Sequence, residues 1–374
     1  MPAGPTAPSG SVLPMTDSTR YFSSDELVSF GTGMFIAHGL PAEDAAIVAR
    51  DLVAADLRGL ASHGVARIPI YCKRLRAKAI NPTPTLKIDR PAAAVASIDG
   101  DDGIGFVVGH RAMDEAIAIA RTTGIGMAGI RRSTHYGMAA LYVMQAIDAG
   151  MVSMAFTNSS PAMPAWGGRT NFHGAAPLAV GAPGGKRGDY VLDLAMTVIA
   201  RGKIRLAASK GEPIPLGLAL DNEGRPTTDA QAAFEGVLLP FGGVKGSAIA
   251  FMMDIFSGVL TGSAFAAGVK SLYFDFSGPQ DVGHLFIAFR PDLFMPMQQY
   301  RDRMDEMVAR VKAMPRAQGC DEILIPGEPE ARTAARRAVS GIPVTADVIR
   351  ALAEEAVGAK VALPDGRGQA FDAA

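Results

Sequence analysis

The sequence of 374 residues predicts a mixed α/β (α+β) fold in which a sheet-bearing middle is enclosed by helical segments from both ends of the chain. Three observations carry this. Helical periodicity with clear start signals runs to about residue 90, short apolar strands alternate with helices over 91–297, and helical patterning returns from Gln298. A hydrophobic share of 48% suffices for a large core, and the length suits two or three lobes rather than one. The expected parts are an extension over 1–20, a helical part over 21–90, the sheet-bearing part over 91–297, and a C-terminal helical part over 298–374 that folds back onto the N-terminal helices.

Taken in order, residues 1–20 are rich in Pro, Gly, Ser and Thr without a basic and then apolar leader pattern, and read as a flexible extension. Ser23-Ser24-Asp25-Glu26 forms a capping box that opens a helix to about His38. Pro41 starts a second helix with Ala45, Val48, Leu52 and Ala55 on one face, and Gly59 ends it. Ser62 and His63 then sit in a loop before a helix over 65–75, whose first turn carries Arg67. A Pro-containing stretch over 81–91 leads to a strand at 94–98, a helix at 106–122 and a strand at 125–130. Further strands are predicted at 152–157, 178–182, 190–194, 216–220 and 284–289, with helices near 138–149 and 245–260.

Composition excludes several classes. Lysine plus arginine (36) balances aspartate plus glutamate (37), and no basic stripe interleaves with aromatics, so nucleic acid is not an expected partner. The apolar stretch at 249–260 is too short to span a bilayer, so no membrane is expected either. Two cysteines, Cys72 and Cys320, lack metal-ligand spacing; they suit buried thiols in a reducing cytoplasm, with no metal site.

The segment from Ser62 to Arg67 holds a hydroxyl, an imidazole and a guanidinium within six residues. A guanidinium fits a carboxylate bidentately, and a histidine titrating near neutrality exchanges a proton with a neighbouring atom. His135, in Thr134-His135-Tyr136-Gly137, follows a strand and is a second acid/base or cofactor contact, or else a helix-start histidine bonded only locally. Asp193 interrupts an apolar strand and requires a partner: Arg201 or Lys203 in a structural role, or an imidazole that it orients. Asn158-Ser159-Ser160-Pro161 and Trp166-Gly167-Gly168 bracket a small-residue loop suited to a flat ligand. Glu328 in Gly327-Glu328 either accepts from ribose hydroxyls or favours a helix start. His38, His110, His173 and His284 read as structural.

Two glycine-rich segments need care. Gly124 to Gly129 matches G-x-G-x-x-G, but a helix precedes it and a strand follows, the reverse of what a Rossmann fingerprint requires. Gly242-Gly243-Val244-Lys245 lacks phosphate-loop spacing, yet Lys245 at a helix start beside a glycine turn can still serve a phosphate.

In register, the motifs SHGVARIPIY, STHYGMA, TNSSPAMPAWGG, the Asp193 strand, LPFGGVKGSA and LIPGEPE resemble the malate/L-lactate dehydrogenase family that does not use a Rossmann fold, over about 22–345. The resemblance implies a largely antiparallel NAD(P)-binding sheet in the middle part, a lobe of N- and C-terminal helices, and a homodimer with sites near its interface. It implies that Ser62 and His63 form a relay and proton donor, that His135 is a proton acceptor or nicotinamide-side contact, and that Asp193 supports the relay. Arg67 would hold the substrate carboxylate, with Thr157 and Ser159 beside it. NAD or NADP would be met by His135, Tyr136, Gly137, Ser159, Leu192, Asp193, Leu194, Ala195, Lys245, Gly327 and Glu328. The substrate would be a small 2-hydroxy or 2-oxo acid. The Lys245-Gly246-Ser247 variant instead suggests cyclic 2-imino acids, and an inactive nucleotide-binding module is the remaining alternative. Ala175, Ala176, Met196 and Val244 stand where the family usually has polar groups.

Overall fold

The computed structural model describes residues 19–371, so the expected extension lies outside the described residues apart from its last two positions. Arg20 already belongs to strand β1 (Arg20–Phe22). Helix α1 (Ser24–Ala37) begins with both halves of the capping box formed: Glu26 N–H donates to Ser23 Oγ at 3.2 Å and Ser23 N–H to the Glu26 carboxylate at 2.7 Å. In α2 (Ala42–Leu57) the expected face, Ala45, Val48, Leu52 and Ala55, is buried, and Gly59 beyond it adopts φ +89°. The helix predicted from residue 65 begins later. Two 3₁₀ turns, Ala61–His63 and Val65–Arg67, precede α3 (Ile68–Arg76), because Pro69 in its first turn sets the start of the regular helix.

Strand β2 (Lys87–Ala92) pairs with β3 (Val95–Asp99) where the sequence reads only a Pro-containing stretch. The strand is exposed throughout and lies at the sheet edge, the one place where Pro91 costs no ladder bond. Next come α4 (Gly105–Thr123), β4 (Ile125–Ser133), α5 (Ala140–Asp148), β5 (Val152–Thr157), the small pair β6 (Pro161–Met163) and β7 (His173–Gly174), then β8 (Leu178–Ala182) and β9 (Tyr190–Leu194). After α6 (Arg201–Lys210) the predicted strand at 216–220 shrinks to β10 (Ala219–Leu220), since Gly217 turns at φ +89°. It pairs with β11 (Val237–Leu238), which follows α7 (Ala230–Glu235). Helix α8 (Val244–Asp254) runs into a π turn, Ile255–Val259, and then β12 (Val282–Phe289) returns to the sheet.

The main sheet has seven strands in the order β2-β3-β4-β12-β5-β8-β9, and only β3 and β4 are parallel. It is therefore largely antiparallel and not a Rossmann sheet. The Gly124 to Gly129 segment confirms this locally: Gly124 caps α4 at φ +87°, and a Cβ on Gly126 would sit 2.0 Å from Ala116 O of α4. Those glycines serve helix-to-strand packing. The opposite face of β4 meets the π-turn region, with Thr261 beside Gly129.

The C-terminal elements are α9 (Met297–Lys312), α10 (Glu328–Ser340), β13 (Ile342–Val344) and α11 (Ala346–Ala359). β13 pairs with β1, α10 packs on α2, and α11 packs on α1 and α3. Helix α9 instead holds the β8–β9 turn, where Asp305 accepts from Lys186 and Arg187 N–H at 2.8 Å each. One large core joins α1, α2 and α3 to α4, α5 and the sheet, so the loop after α2 is mounted on the main core of the molecule.

Candidate active site

The loop carrying Ser62 and His63 is shaped by a buried carboxylate. Asp56, near the end of α2, accepts from Val65 N–H at 2.7 Å, and a Cβ on Gly64 would fall 2.1 Å from that carboxylate. Glycine at 64 is thus what admits Asp56 beneath the loop. Burial pushes the Asp56 pKa up to about 7 despite the Val65 bond. Ser62 closes the other side: its carbonyl accepts from Arg67 Nε at 2.5 Å, and its Oγ lies 3.0 Å from His63 Nδ1.

Arg67, in the 3₁₀ turn before α3, and Tyr71, inside α3, follow four residues apart on one face, and both serve the site. The Tyr71 hydroxyl lies 2.7 Å from His135 Nδ1, which also accepts from Gly137 N–H at 3.2 Å. A backbone N–H only donates, so Nδ1 is an acceptor and the neutral ring carries its proton on Nε2. The His135 ring stands 5.9 Å from the His63 ring, inclined by 21°. The backbone N–H of His135 donates to Gln280 Oε1 at 3.1 Å.

The sequence expectation of an imidazole titrating near neutrality does not hold. Burial, with the Arg67 charge behind it, lowers the His63 pKa to about 4, and the same causes hold His135 well below the usual histidine range. Both rings are neutral at pH 7. Asp193 also departs from expectation: its Oδ2 accepts from Ala140 N–H at 2.8 Å at the start of α5, and among the described residues no imidazole, Arg201 or Lys203 bonds it. Burial raises it to about 6, opposed by the Ala140 bond and by Arg58. Arg201 instead donates to Phe234 O.

These groups share one cleft of about 1750 Å³. Ser62, His63, Arg67, His135 and Asp193 all line it, as do Tyr136, Gly137, Thr157 and Ser159. On the remaining wall are Leu192, Ala195 and Gly327. Leu194, Lys245 and Glu328 are absent from the lining. Strand alternation turns Leu194 into an apolar cluster, Lys245 is exposed in the first turn of α8, and Glu328 bonds Lys312 Nζ at 2.7 Å and Ile325 N–H at 3.0 Å, which is its helix-start reading. Glu330 reaches the cleft in its place. Of the four departures from family pattern, Ala175 and Ala176 line the cleft, Met196 is buried in a small core with Phe156 and Met163, and Val244 faces outward.

Sequence reading missed Tyr71, Arg58, Gln280 and Tyr273. Spacing from Arg67 could have found Tyr71, and Arg58 stands only four positions before Ser62; Gln280 and Tyr273 come from a distant segment that only folding brings near. The four histidines set aside all have partners: His38 bonds Met34 O, His110 pairs with Asp51, His173 with Asp254, and His284 sits between Thr157 and Ser133. Cys72 is buried as expected, but Cys320 is exposed, in a stretch of turns between α9 and α10. No helix among the described residues is long and apolar enough to cross a membrane.

Comparison with known proteins follows the same lines. The sequence model of the malate/L-lactate dehydrogenase family matches residues 22–353. L-sulfolactate dehydrogenase of Methanocaldococcus jannaschii is 40% identical over 302 residues, 80% of this chain and 86% of its own. The solved structure of sulfolactate dehydrogenase from that organism superposes with a TM-score of 0.87 at 36% identity, covering 92% of this chain and 99% of the other. A (2R)-3-sulfolactate dehydrogenase (NADP(+)) of Chromohalobacter salexigens is 37% identical, covering 74% of this chain and 83% of its own. The ureidoglycolate dehydrogenase (NAD(+)) of Escherichia coli K12 is 34% identical, covering 85% and 91%. With its cleft, its largely antiparallel sheet and its motifs in register, the chain belongs to the malate/L-lactate dehydrogenase family.

Proposed function

We propose that the protein is an NAD(P)-dependent oxidoreductase acting reversibly at C2 of a small 2-hydroxy acid of the malate, lactate or sulfolactate class. The observation that carries this is the gathering of Arg67, His63 and His135 around one cleft. The planar Arg67 fork suits a carboxylate, and Ser62 holds it through Nε without consuming its other donors. Burial first and the Arg67 charge second depress both imidazoles; carboxylate binding there offsets the second cause and so favours their protonated forms. His63 then exchanges the hydroxyl proton, passing it through Nδ1 and the exposed Ser62 hydroxyl. His135 presents its Nε2–H to the substrate oxygen, with Tyr71 and Gly137 holding the tautomer.

The cleft residues fit a nicotinamide nucleotide. Arg58 lines the cleft with a buried Nε that bonds nothing among the described residues, and Gly327, at φ +91°, lies against the Val191 backbone where a side chain would not fit. When bound, the nucleotide supplies or accepts the hydride. His135, Tyr136, Gly137, Ser159, Leu192, Asp193, Ala195 and Gly327 would hold it; Leu194 packs in an apolar cluster, Glu328 is ion-paired, and Lys245 is exposed. The substrate pocket would include Thr157 and Ser159.

Assays with NADH and NADPH against oxaloacetate, pyruvate, sulfopyruvate and a cyclic 2-imino acid test the reading and choose the nucleotide. Turnover of 2-oxo acids is expected. Turnover of the imine alone reverses the ranking; its motivation, the Lys245 segment, lies outside the cleft. Nucleotide binding without any turnover means an inactive module. A homodimer is part of the proposal, supported by exposed Phe251, Ile255, Val259 and Leu260 around the end of α8, an apolar patch of the kind that marks an interface. Light scattering that finds a monomer contradicts it. A reducing cytoplasm suits the exposed Cys320.

A further inference from the structure

Arg74 takes no part in the chemistry above, yet its side chain is fully buried on α3. Its guanidinium is solvated by one loop. Nη1 donates to Ser271 O and Leu272 O at 3.2 Å and to Asp275 O at 2.8 Å, and Nη2 donates to Gly278 O at 3.2 Å. A buried cation is costly unless hydrogen bonds surround it. These carbonyls meet that need at Nη1 and Nη2, while Nε bonds nothing among the described residues, so the loop stabilises the cation and the cation fixes the loop.

The same loop forms a wall of the cleft, through Tyr273 and Phe274. The Tyr273 ring lies 5.0 Å from the Arg67 guanidinium carbon, a cation–π contact. At the end of the loop Gln280 accepts from His135 N–H at 3.1 Å and donates to Lys270 O at 3.2 Å. The wall therefore touches both the carboxylate grip and the backbone of the second histidine.

We infer that Arg74 is a positioning residue for the substrate: by holding loop 271–278 it sets Tyr273 against Arg67 and so orients the guanidinium that receives the acid. This rests on the proposed 2-hydroxy acid activity. The effect belongs to acid binding and not to the nucleotide.

The test uses Arg74→Lys, Tyr273→Ala and the double variant. Oxamate, an unreactive 2-oxo acid mimic, is titrated into enzyme saturated with NADH or NADPH, and KM and kcat are measured on the 2-oxo acid that the wild type reduces. Lysine keeps the charge but not the fork, so Arg74→Lys should raise the oxamate Kd and the acid KM about tenfold, leaving nucleotide Kd and kcat within about twofold. Tyr273→Ala should match it, and the double variant should be no worse than either, because both act through one contact. Equal weakening of acid and nucleotide, or additive losses, overturns the inference. If Arg74→Lys does not fold, an unchanged acid KM in Tyr273→Ala overturns it alone. A wild type that binds nucleotide but neither oxamate nor any 2-oxo acid refutes the functional reading and takes this inference with it; a wild type that works while both variants match it refutes the inference only.

Discussion

The end of the cleft proposed to take the acid and the wall formed by β9 and the segment before α10 are built by different means. At the first, polar and charged side chains are anchored by hydrogen bonds, to one another or to backbone carbonyls: Arg67 to Ser62 O, Ser62 to His63, Tyr71 to His135, and Arg74 to the loop that carries Tyr273. At the second, backbone does the shaping. Val191 N–H donates to Pro326 O, Asp193 is tied to the first turn of α5, and Gly327 brings no side chain. One end is fixed before any ligand arrives, as transition-state chemistry requires; the other offers a contour to a long flat molecule.

The contrast predicts a ranking of effects. His63→Ala should cost the most, about 10²- to 10⁴-fold in kcat with nucleotide binding unchanged, as measured by steady-state kinetics beside nucleotide titration. Loss of nucleotide binding instead would move His63 to the other region. Arg67→Lys should raise the acid KM about 10- to 100-fold with a smaller change in kcat, since a point charge replaces a bidentate fork. Asp193→Asn should act on the opposite side, weakening nucleotide binding about tenfold with acid KM nearly unchanged, because the lost charge sat at a helix start rather than on an imidazole. Lys245→Ala, exposed and away from the cleft, should change stability by no more than about 0.5 kcal/mol and leave both constants alone.

Acidity separates the regions further. Oxidation of a 2-hydroxy acid needs a neutral base in the free enzyme, and His63 is depressed to about 4. Its protonated, inactive form accumulates only as pH falls toward that value. The His63 limb of kcat/KM should therefore stay level below the ordinary histidine pKa. A histidine limb near 6.5 that is absent from His63→Ala would show that the empty cleft does not depress this group.

How much could be read beforehand follows the same division. The helices near the N-terminus announce themselves through the capping box and a four-residue apolar face, and the central strands through apolar runs at 152–157, 178–182 and 190–194 that coincide with β5, β8 and β9. Strand β2 hid because an exposed edge strand has no apolar face to show. Ser62, His63, Arg67 and His135 are chemically distinctive and were visible as types; their common cleft is built by folding, since the turns after α2 and the end of β4 meet only through long-range packing. Asp193 shows the limit most clearly. A carboxylate in an apolar strand demands a partner, but local sequence could not say that this partner is the backbone of α5, over fifty positions away. Lys245 and Glu328 lie outside the cleft lining, and local sequence could not show this: a charged side chain near glycines suits a phosphate or a ribose as well as it suits solvent or a helix start.

The central claim is that Arg67, His63 and His135 meet on a single substrate. A crystal structure with oxamate and the nucleotide that the enzyme prefers tests it most directly. The account predicts the oxamate carboxylate on the Arg67 fork and its carbonyl oxygen within hydrogen-bond reach of an Nε2 of His63 or His135. Oxamate bound in the cleft away from Arg67, or with its carbonyl turned from both imidazoles, would contradict it.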